Sequence, residues 1–426
     1  MVEVRRPISI SDAVSRVMKY ELNQAVDYVP LLESDLRFLA EDLLADHDVP
    51  PFNRAPYDGY AIRSEDTSQA SLLNPATLKV VGDIGAGSLY RSELENGQAV
   101  RIMTGAKIPN QSDAVVMLEE IQTYDADTIT IVRPHHHNEN ISFQGEDTKK
   151  DQVLINKGSI IHPGTVALLA TFGYDIVPVY RKPRIGILAT GSELLDVHEP
   201  LQPGKIRNSN AYTAASQVKR AGGIPVMYGK LPDELDACVD VVTDALQEVD
   251  AMITTGGASV GDFDLVPQLI ERIDAKTLFN KVAMRPGSVT TVAEKDGQMI
   301  YGLSGNPGAC YVGFELFVRP LIRKALGASA LHLKRSKGVL DRDFPKPNPY
   351  TRLVRGVVHE RDGVQYVEPS GLDKSSSVVA LGEAEVFIVL PAGSKGYQRG
   401  EEVNLLNLQD QKGSKWPWDI PTVSYR

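Results

Sequence analysis

The sequence predicts a multidomain α/β protein. Its central block carries a mainly parallel sheet, preceded by an N-terminal helical region with an inserted β domain and followed by a C-terminal β domain. Three observations lead there. Short apolar runs alternate with helical patterns between about residues 183 and 327, as βαβ units require. A strand-like, turn-rich texture from Phe52 to about Gly145 interrupts a helical one. A hairpin turning at Arg361-Asp362-Gly363 opens a last β-rich stretch. The 426 residues exceed one typical core, so about three or four domains are expected.

Taken in order, Ser11 is the expected cap of a first helix in which Val14, Val17 and Met18 recur at helical spacing. A second helix is expected from about Ser34, with Leu36, Leu39, Leu43 and Leu44 on one face. It stops before Val49-Pro50-Pro51, because a residue preceding proline disfavours the α region. Strand-like runs follow at 78–81, 98–103 and 114–117, parted by turns at Gly85-Ala86-Gly87 and Glu95-Asn96-Gly97. A helical pattern returns from Ile160 to Phe172, so the helical domain (1–51 and 146–182) resumes after the inserted β domain (52–145). The α/β block spans 183–330 and the C-terminal β domain 331–408, with strands at 351–358, 364–367 and 386–391. The polar tail, 409–426, carries both tryptophans and is expected to be loosely held.

A net charge of −10 argues against nucleic acid or a membrane surface as partner, though not against a small anionic substrate held by local cations. Cys238 and Cys310 lie far apart, so no disulfide framework is expected, and a reducing cytoplasm fits. No apolar stretch reaches membrane-spanning length, and no signal peptide is read at the start of the sequence.

Chemistry concentrates in loops that follow the strands, where open α/β sheets hold their ligands. In Thr190-Gly191-Ser192-Glu193 the glycine allows close backbone approach, Thr190 and Ser192 can donate to phosphate, and Glu193 can hold a cation or take a proton. The same residues also suit a helix start capped by Ser192. Asp233 follows the apolar run 224–228. Gly256-Gly257-Ala258-Ser259 offers amide donors with Asp262 and Asp264 behind them; acids beside a phosphate suit Mg²⁺, and a solvated loop is the plainer alternative. In Ser304-Gly305-Asn306-Pro307-Gly308, Asn306 fits a helix cap and Pro307 the first helical position, which makes a ready anion site. Lys281 and Arg285 alternate along an extended segment and share a face, suited either to a phosphorylated ligand or to protecting a strand edge. Asp58-Gly59 stands among aromatics and could be a simple turn, and 101–106 a plain strand end. His135-His136-His137, without Cys or acids at ligand spacing, reads as an exposed loop. There is no P-loop, no G-x-G-x-x-G after a strand, no H-E-x-x-H and no nucleophile elbow, which weakens dehydrogenase, kinase and zinc-protease readings.

Together these segments resemble the molybdopterin molybdenumtransferase (MoeA-type) family, related to the C-terminal part of gephyrin. The resemblance runs from about Ile10 to Leu408. It rests on many motifs in order: 50–61, 101–106, Gly145-Glu146-Asp147, 190–194, Asn208-Ser209-Asn210, 256–264, Arg285-Pro286-Gly287 and Gly305-Asn306-Pro307. It implies insertion of molybdenum from molybdate into adenylylated molybdopterin with loss of AMP, assisted by a divalent cation such as Mg²⁺. It implies four domains (elongated helical, inserted β, molybdopterin-binding α/β and C-terminal barrel-like β) and an elongated homodimer with a working site shared between chains. The molybdopterin adenylyltransferase is a candidate partner.

By motif position the resemblance implies active-site roles for Asp58, Thr104, Glu193, Asp233, Asp264, Lys281 and Arg285, with Glu193 and Asp264 as metal ligands. Thr190, Gly191, Ser192, Gly256, Gly257, Ser259, Ser304, Gly305, Asn306 and Pro307 would bind substrate, joined by Arg352, Arg355 and Ser375 from the C-terminal domain. The chain departs from the family at Arg285-Pro286-Gly287-Ser288, where Lys-Pro-Gly-Lys is common, leaving one cation fewer. Ser304, Tyr57 and Ala258 stand where proline, methionine and valine are frequent, and no departure removes an acid. The chemistry is coherent: molybdate and pyrophosphate oxygens are both anionic, and cations, amide donors and a metal offset their repulsion. Two other readings compete. An adenylyltransferase would use the same α/β block but has no need of the inserted domain, and a gephyrin-like scaffold would anchor partners without turnover.

Overall fold

A computed structural model describes residues 6–124, 127–231, 234–256 and 265–418. They form two compact units, one of Met1–Glu41, Lys157–Val166 and Asp175–Arg426, the other of Asp42–Asn156 and Ala167–Tyr174.

The first unit is built on a six-stranded sheet in the order Ile224–Leu231, Arg184–Thr190, Ala251–Thr255, Gln298–Leu303, Thr291–Lys295, Lys276–Phe279. The first four strands are parallel and the last two antiparallel. Ile185, Ile187 and Ala189 pack on one face with the helices Asn210–Ala221 and Arg319–Ala325, and Leu188 on the other with Leu235–Ala245 and Leu265–Arg272. Coverage on both faces is why this strand reads as continuously apolar rather than alternating. From Arg184–Thr190 the chain moves outward to Ile224–Leu231, then returns to the opposite side at Ala251–Thr255. The switch point therefore lies between the loops after Thr190 and Thr255.

As expected, Asn306 takes the cap position of a helix that opens with Pro307, although its side chain makes no capping hydrogen bond among the described residues; Pro307–Gly313 widens into a π turn at Phe314–Val318 and continues as Arg319–Ala325. The C-terminal strands Thr351–Arg361, Val364–Pro369, Lys334–Leu340, Glu402–Asn407 and Val386–Leu390 close into a barrel, because the last pairs back on the first. The first hairpin turns through Asp362 and Gly363, both at positive φ. Met284–Arg285 adds to the barrel beside Thr351 and Arg352.

Three local expectations are corrected. The first helix, Ile10–Val17, is capped by Ser9, whose side chain accepts the Asp12 N–H at 3.0 Å, not by Ser11. The helix expected from Ser34 does not form. A 3-10 turn, Leu31–Glu33, is followed by Leu36 at φ 59°, 65% exposed, and by extended backbone in which Leu39 and Ala40 donate to the carbonyls of Ser159 and Pro178. Leu43–Leu44 pairs with Val153–Ile155. Extended partners from residues 153–180 thus override the leucine spacing. The tail is docked as far as residue 418. Arg319 and Arg323 donate to the carbonyls of Asp410 and Gln411 at 3.3 and 2.6 Å, and Trp418 joins the core.

The second unit holds a sheet in the order Ala114–Met117, Gly59–Ile62, Gln98–Ile102, Ala76–Ile84, Thr128–Ile131, Thr123–Tyr124. The histidine run is not wholly exposed: His135 is buried, and burial pushes its pKa down, while His137 faces Asp113 at 2.7 Å. Among the described residues no helix is long and apolar enough to cross a membrane.

Candidate functional site

Strand ends of the first unit meet at a cleft lined by Thr190, Glu193, Gly256, Gly305 and Pro307. Thr190 ends its strand with a buried hydroxyl that has no hydrogen-bond partner among the described residues. Gly191 turns the chain at φ 147°, and a Cβ there would lie 2.5 Å from a Glu193 carboxylate oxygen. The chain then continues as the strand Leu194–Leu195 beside Ile206–Arg207, so Ser192 caps no helix; its carbonyl accepts from Lys205 Nζ. The Glu193 carboxylate is exposed, and among the described residues it meets neither cation nor donor. Across the cleft Gly256, at φ 94°, would place a Cβ 2.5 Å from the Thr190 carbonyl oxygen, and Gly305 would place one 3.6 Å from the Gly256 Cα. Three loops meet at glycines because side chains would hold them apart.

Sequence reasoning gave no site role to Arg207, Asn208, Ser209, Asn210 or Thr255, which line the same cleft. Asn208 is buried and accepts the Ala211 N–H at 3.1 Å; Asn210 Nδ2 donates to the Gly305 carbonyl at 2.8 Å, tying the helix Asn210–Ala221 to the Ser304 turn. The one available signal was the Asn-Ser-Asn run just before a helical pattern.

A second group gathers at Gly308, the second residue of the helix Pro307–Gly313. Its N–H donates to the Ser375 carbonyl at 2.8 Å, so that donor of the expected anion site is already used. A Cβ at 308 would meet Arg355 Nη1 at 2.9 Å. Arg355 is 2% exposed; Nη2 donates to the carbonyls of Leu372 and Lys374, while among the described residues Nε and Nη1 have no partner, and burial pushes its pKa down. Arg352 is committed to Asp373 at 2.7 Å and Asn348 at 2.8 Å. Arg285 is exposed and Lys281 half-buried; among the described residues neither side chain has a partner. Ser304 Oγ accepts the Asn306 N–H at 3.2 Å.

In the second unit Asp58 precedes the strand Gly59–Ile62 and is no simple turn. A Cβ at Gly59 would lie 2.0 Å from the Val116 carbonyl, so the neighbouring strand demands glycine. Thr104 donates its N–H and hydroxyl to Asp58 Oδ1 at 2.6 and 2.8 Å. Asp233, Gly257, Ser259 and Asp264 lie outside the described residues.

The cleft combines hydroxyls, amide groups, a guanidinium and an uncommitted carboxylate, a set able to hold phosphate oxygens and one divalent cation. Glu193 fits the Mg²⁺ expectation in that its carboxylate is exposed and unpaired among the described residues, and Mg²⁺ takes as few as one or two protein carboxylates.

The sequence matches profiles described as MoeA N-terminal region (domain I and II) over residues 8–173, probable molybdopterin binding domain over 186–324, and MoeA C-terminal region (domain IV) over 337–408. It is 51% identical over 423 residues to the molybdopterin molybdenumtransferase of Bacillus subtilis (strain 168), covering 99% of this chain and 98% of that one. It is 48% identical to the enzyme of the same name from a Staphylococcus epidermidis strain, over 95% of this chain and 96% of the relative. A crystal structure of the molybdopterin biosynthesis moeA protein from Pyrococcus horikoshii superposes with a TM-score of 0.83 at 28% identity, covering 94% of this chain and 99% of that one.

Proposed function

The chain belongs to the molybdopterin molybdenumtransferase (MoeA-type) family of molybdenum cofactor biosynthesis, and from that membership we propose that it takes molybdenum from molybdate onto adenylylated molybdopterin and releases AMP. The observation that supports this reading is the glycine-lined cleft at the sheet's switch point, where the Thr190 hydroxyl and the Glu193 carboxylate stand uncommitted among the described residues. Thr190 and the Gly256 and Gly305 turns would bind the phosphates of the substrate. Glu193, with Asp264, would hold Mg²⁺, which offsets the negative charge of the pyrophosphate and molybdate oxygens. The exposed Asp58 carboxylate would orient water or molybdate, and no covalent protein nucleophile is needed. We also propose that the chain works as a homodimer, which light scattering on the purified protein decides.

The test is incubation with adenylylated molybdopterin, molybdate and Mg²⁺. Molybdate-dependent AMP release is expected. Consumption of ATP with free molybdopterin, and AMP release indifferent to molybdate, would instead mark an adenylyltransferase.

A further inference from the structure

The chain carries ten more acidic than basic charges, yet its substrate is anionic if the proposed function is right. The cleft must therefore contain a cation that the protein's own carboxylates leave unneutralised. Arg207 meets that description. It lines the cleft with Thr190 and Glu193, and its side chain is exposed. Its Nε and Nη2 donate to the Glu199 carbonyl at 3.2 and 3.0 Å, and among the described residues it pairs with no acid.

The acid whose carbonyl holds Arg207 is engaged elsewhere through its side chain. The Glu199 carboxylate accepts from Lys230 Nζ at 2.6 Å and from the Asp196 N–H at 2.5 Å. Arg207 thus receives orientation from Glu199 but no charge compensation. Its backbone is equally well placed. Ile206 N–H donates to the Glu193 carbonyl at 3.0 Å and Asn208 N–H to the Leu195 carbonyl at 2.8 Å, which pins residue 207 between two anchored neighbours. A guanidinium positioned but not neutralised is preorganised for an oxyanion, because its planar donors match phosphate geometry.

We propose that Arg207 is a substrate-binding residue that contacts a phosphate oxygen of the adenylylated pterin in the cleft. The inference rests on the proposed reaction for the identity of the ligand.

The test is titration calorimetry of the full-length protein with adenylylated molybdopterin, alongside AMP release. Arg207→Gln keeps a donor for the Glu199 carbonyl and removes the charge; Arg207→Lys keeps the charge. Loss of one charge-assisted hydrogen bond should weaken binding by roughly 10- to 100-fold in Arg207→Gln. Arg207→Lys should recover most of that loss. Affinity of the wild type should fall with salt more steeply than that of Arg207→Gln. Unchanged affinity in Arg207→Gln overturns the inference, as does equal weakening in both variants with a lowered melting temperature, which would mark a structural pin. If the wild type binds the pterin but releases no AMP, the proposed reaction fails while the affinity comparison still decides Arg207; if the wild type does not bind it, both fail.

Discussion

Asp58 and Thr104 meet at a single oxygen: Asp58 Oδ1 accepts both the backbone N–H and the hydroxyl of Thr104, at 2.6 and 2.8 Å. The two residues are 46 apart in sequence and lie just beyond the paired ends of two neighbouring strands of the second unit, Gly59–Ile62 and Gln98–Ile102, where Gly59 pairs with Ile102. The Thr104 backbone donor, then its hydroxyl, hold the Asp58 carboxyl below its usual value; desolvation opposes them, and the charge of Arg101 adds a lesser lowering. The arrangement leaves Asp58 ionised and its second oxygen outside the Thr104 bonds.

Thr104→Ala should raise the Asp58 pKa part of the way back, since the backbone donor stays. The sign follows from the folded state favouring the ionised form: any stabilisation is present above the unfolded pKa and lost as pH falls through the folded one. Carboxyl NMR titration checks it. An Asp58 pKa that is the same in both proteins would show that the hydroxyl has no part.

Glu193→Ala should abolish turnover and leave the melting temperature nearly unchanged. The side chain is exposed, and surface substitutions outside a network usually change stability by less than about 0.5 kcal/mol. If AMP release persists at wild-type rate with Mg²⁺, Glu193 holds no essential cation.

The candidate cleft was legible in the sequence where local chemistry and strand period agreed. The run 184–190, the Thr190 loop and the Asn306-Pro307 helix start all signal themselves within a few residues, and so does the Asp362-Gly363 turn. Arg207 was not legible, because its strand is two residues long and shows no period. Leu36 and Leu44 misled for a different reason. Their spacing suits a helix, but their partners lie more than a hundred residues away, and both leucines end up exposed. The fate of Arg355 was hidden too, since nothing local to an alternating strand shows that its guanidinium will be 2% exposed against Gly308.

Glu315→Ala should be among the most destabilising substitutions in the first unit. Glu315 sits in the π turn, 2% exposed, and accepts from Gln217 Nε2 at 2.8 Å and from Arg220. It joins the two helices that begin at the cleft. Breaking one partner out of a buried ion pair costs about 3–5 kcal/mol, because the remaining charge is left uncompensated. Denaturant unfolding measures it, and a loss below about 1 kcal/mol, the usual worth of an exposed pair, would show that water already reaches the site.

His332 lies between the chain's two tryptophans, with ring centroids 5.4 Å from Trp416 and 6.4 Å from Trp418, and it exchanges backbone hydrogen bonds with Ser414. Burial, then the charge of Arg319, pushes its pKa down to about 4. Arg323 and Asp410 stand on the elements packed beside it, and neither offers the ring a hydrogen bond; among the described residues Nδ1 has no partner. The unfolded chain binds a proton at His332 below about pH 6.5, whereas the folded chain does so only below about 4. Stability should therefore be flat in this group above pH 6.5 and fall as pH drops toward 4, by up to about 3 kcal/mol. Tryptophan emission reports the transition directly, because both indoles face His332. His332→Phe keeps an aromatic ring and removes the titration, so its emission midpoint should depend less on pH in that window. An identical pH dependence in the two proteins would assign the acid sensitivity of the tail to its carboxylates instead.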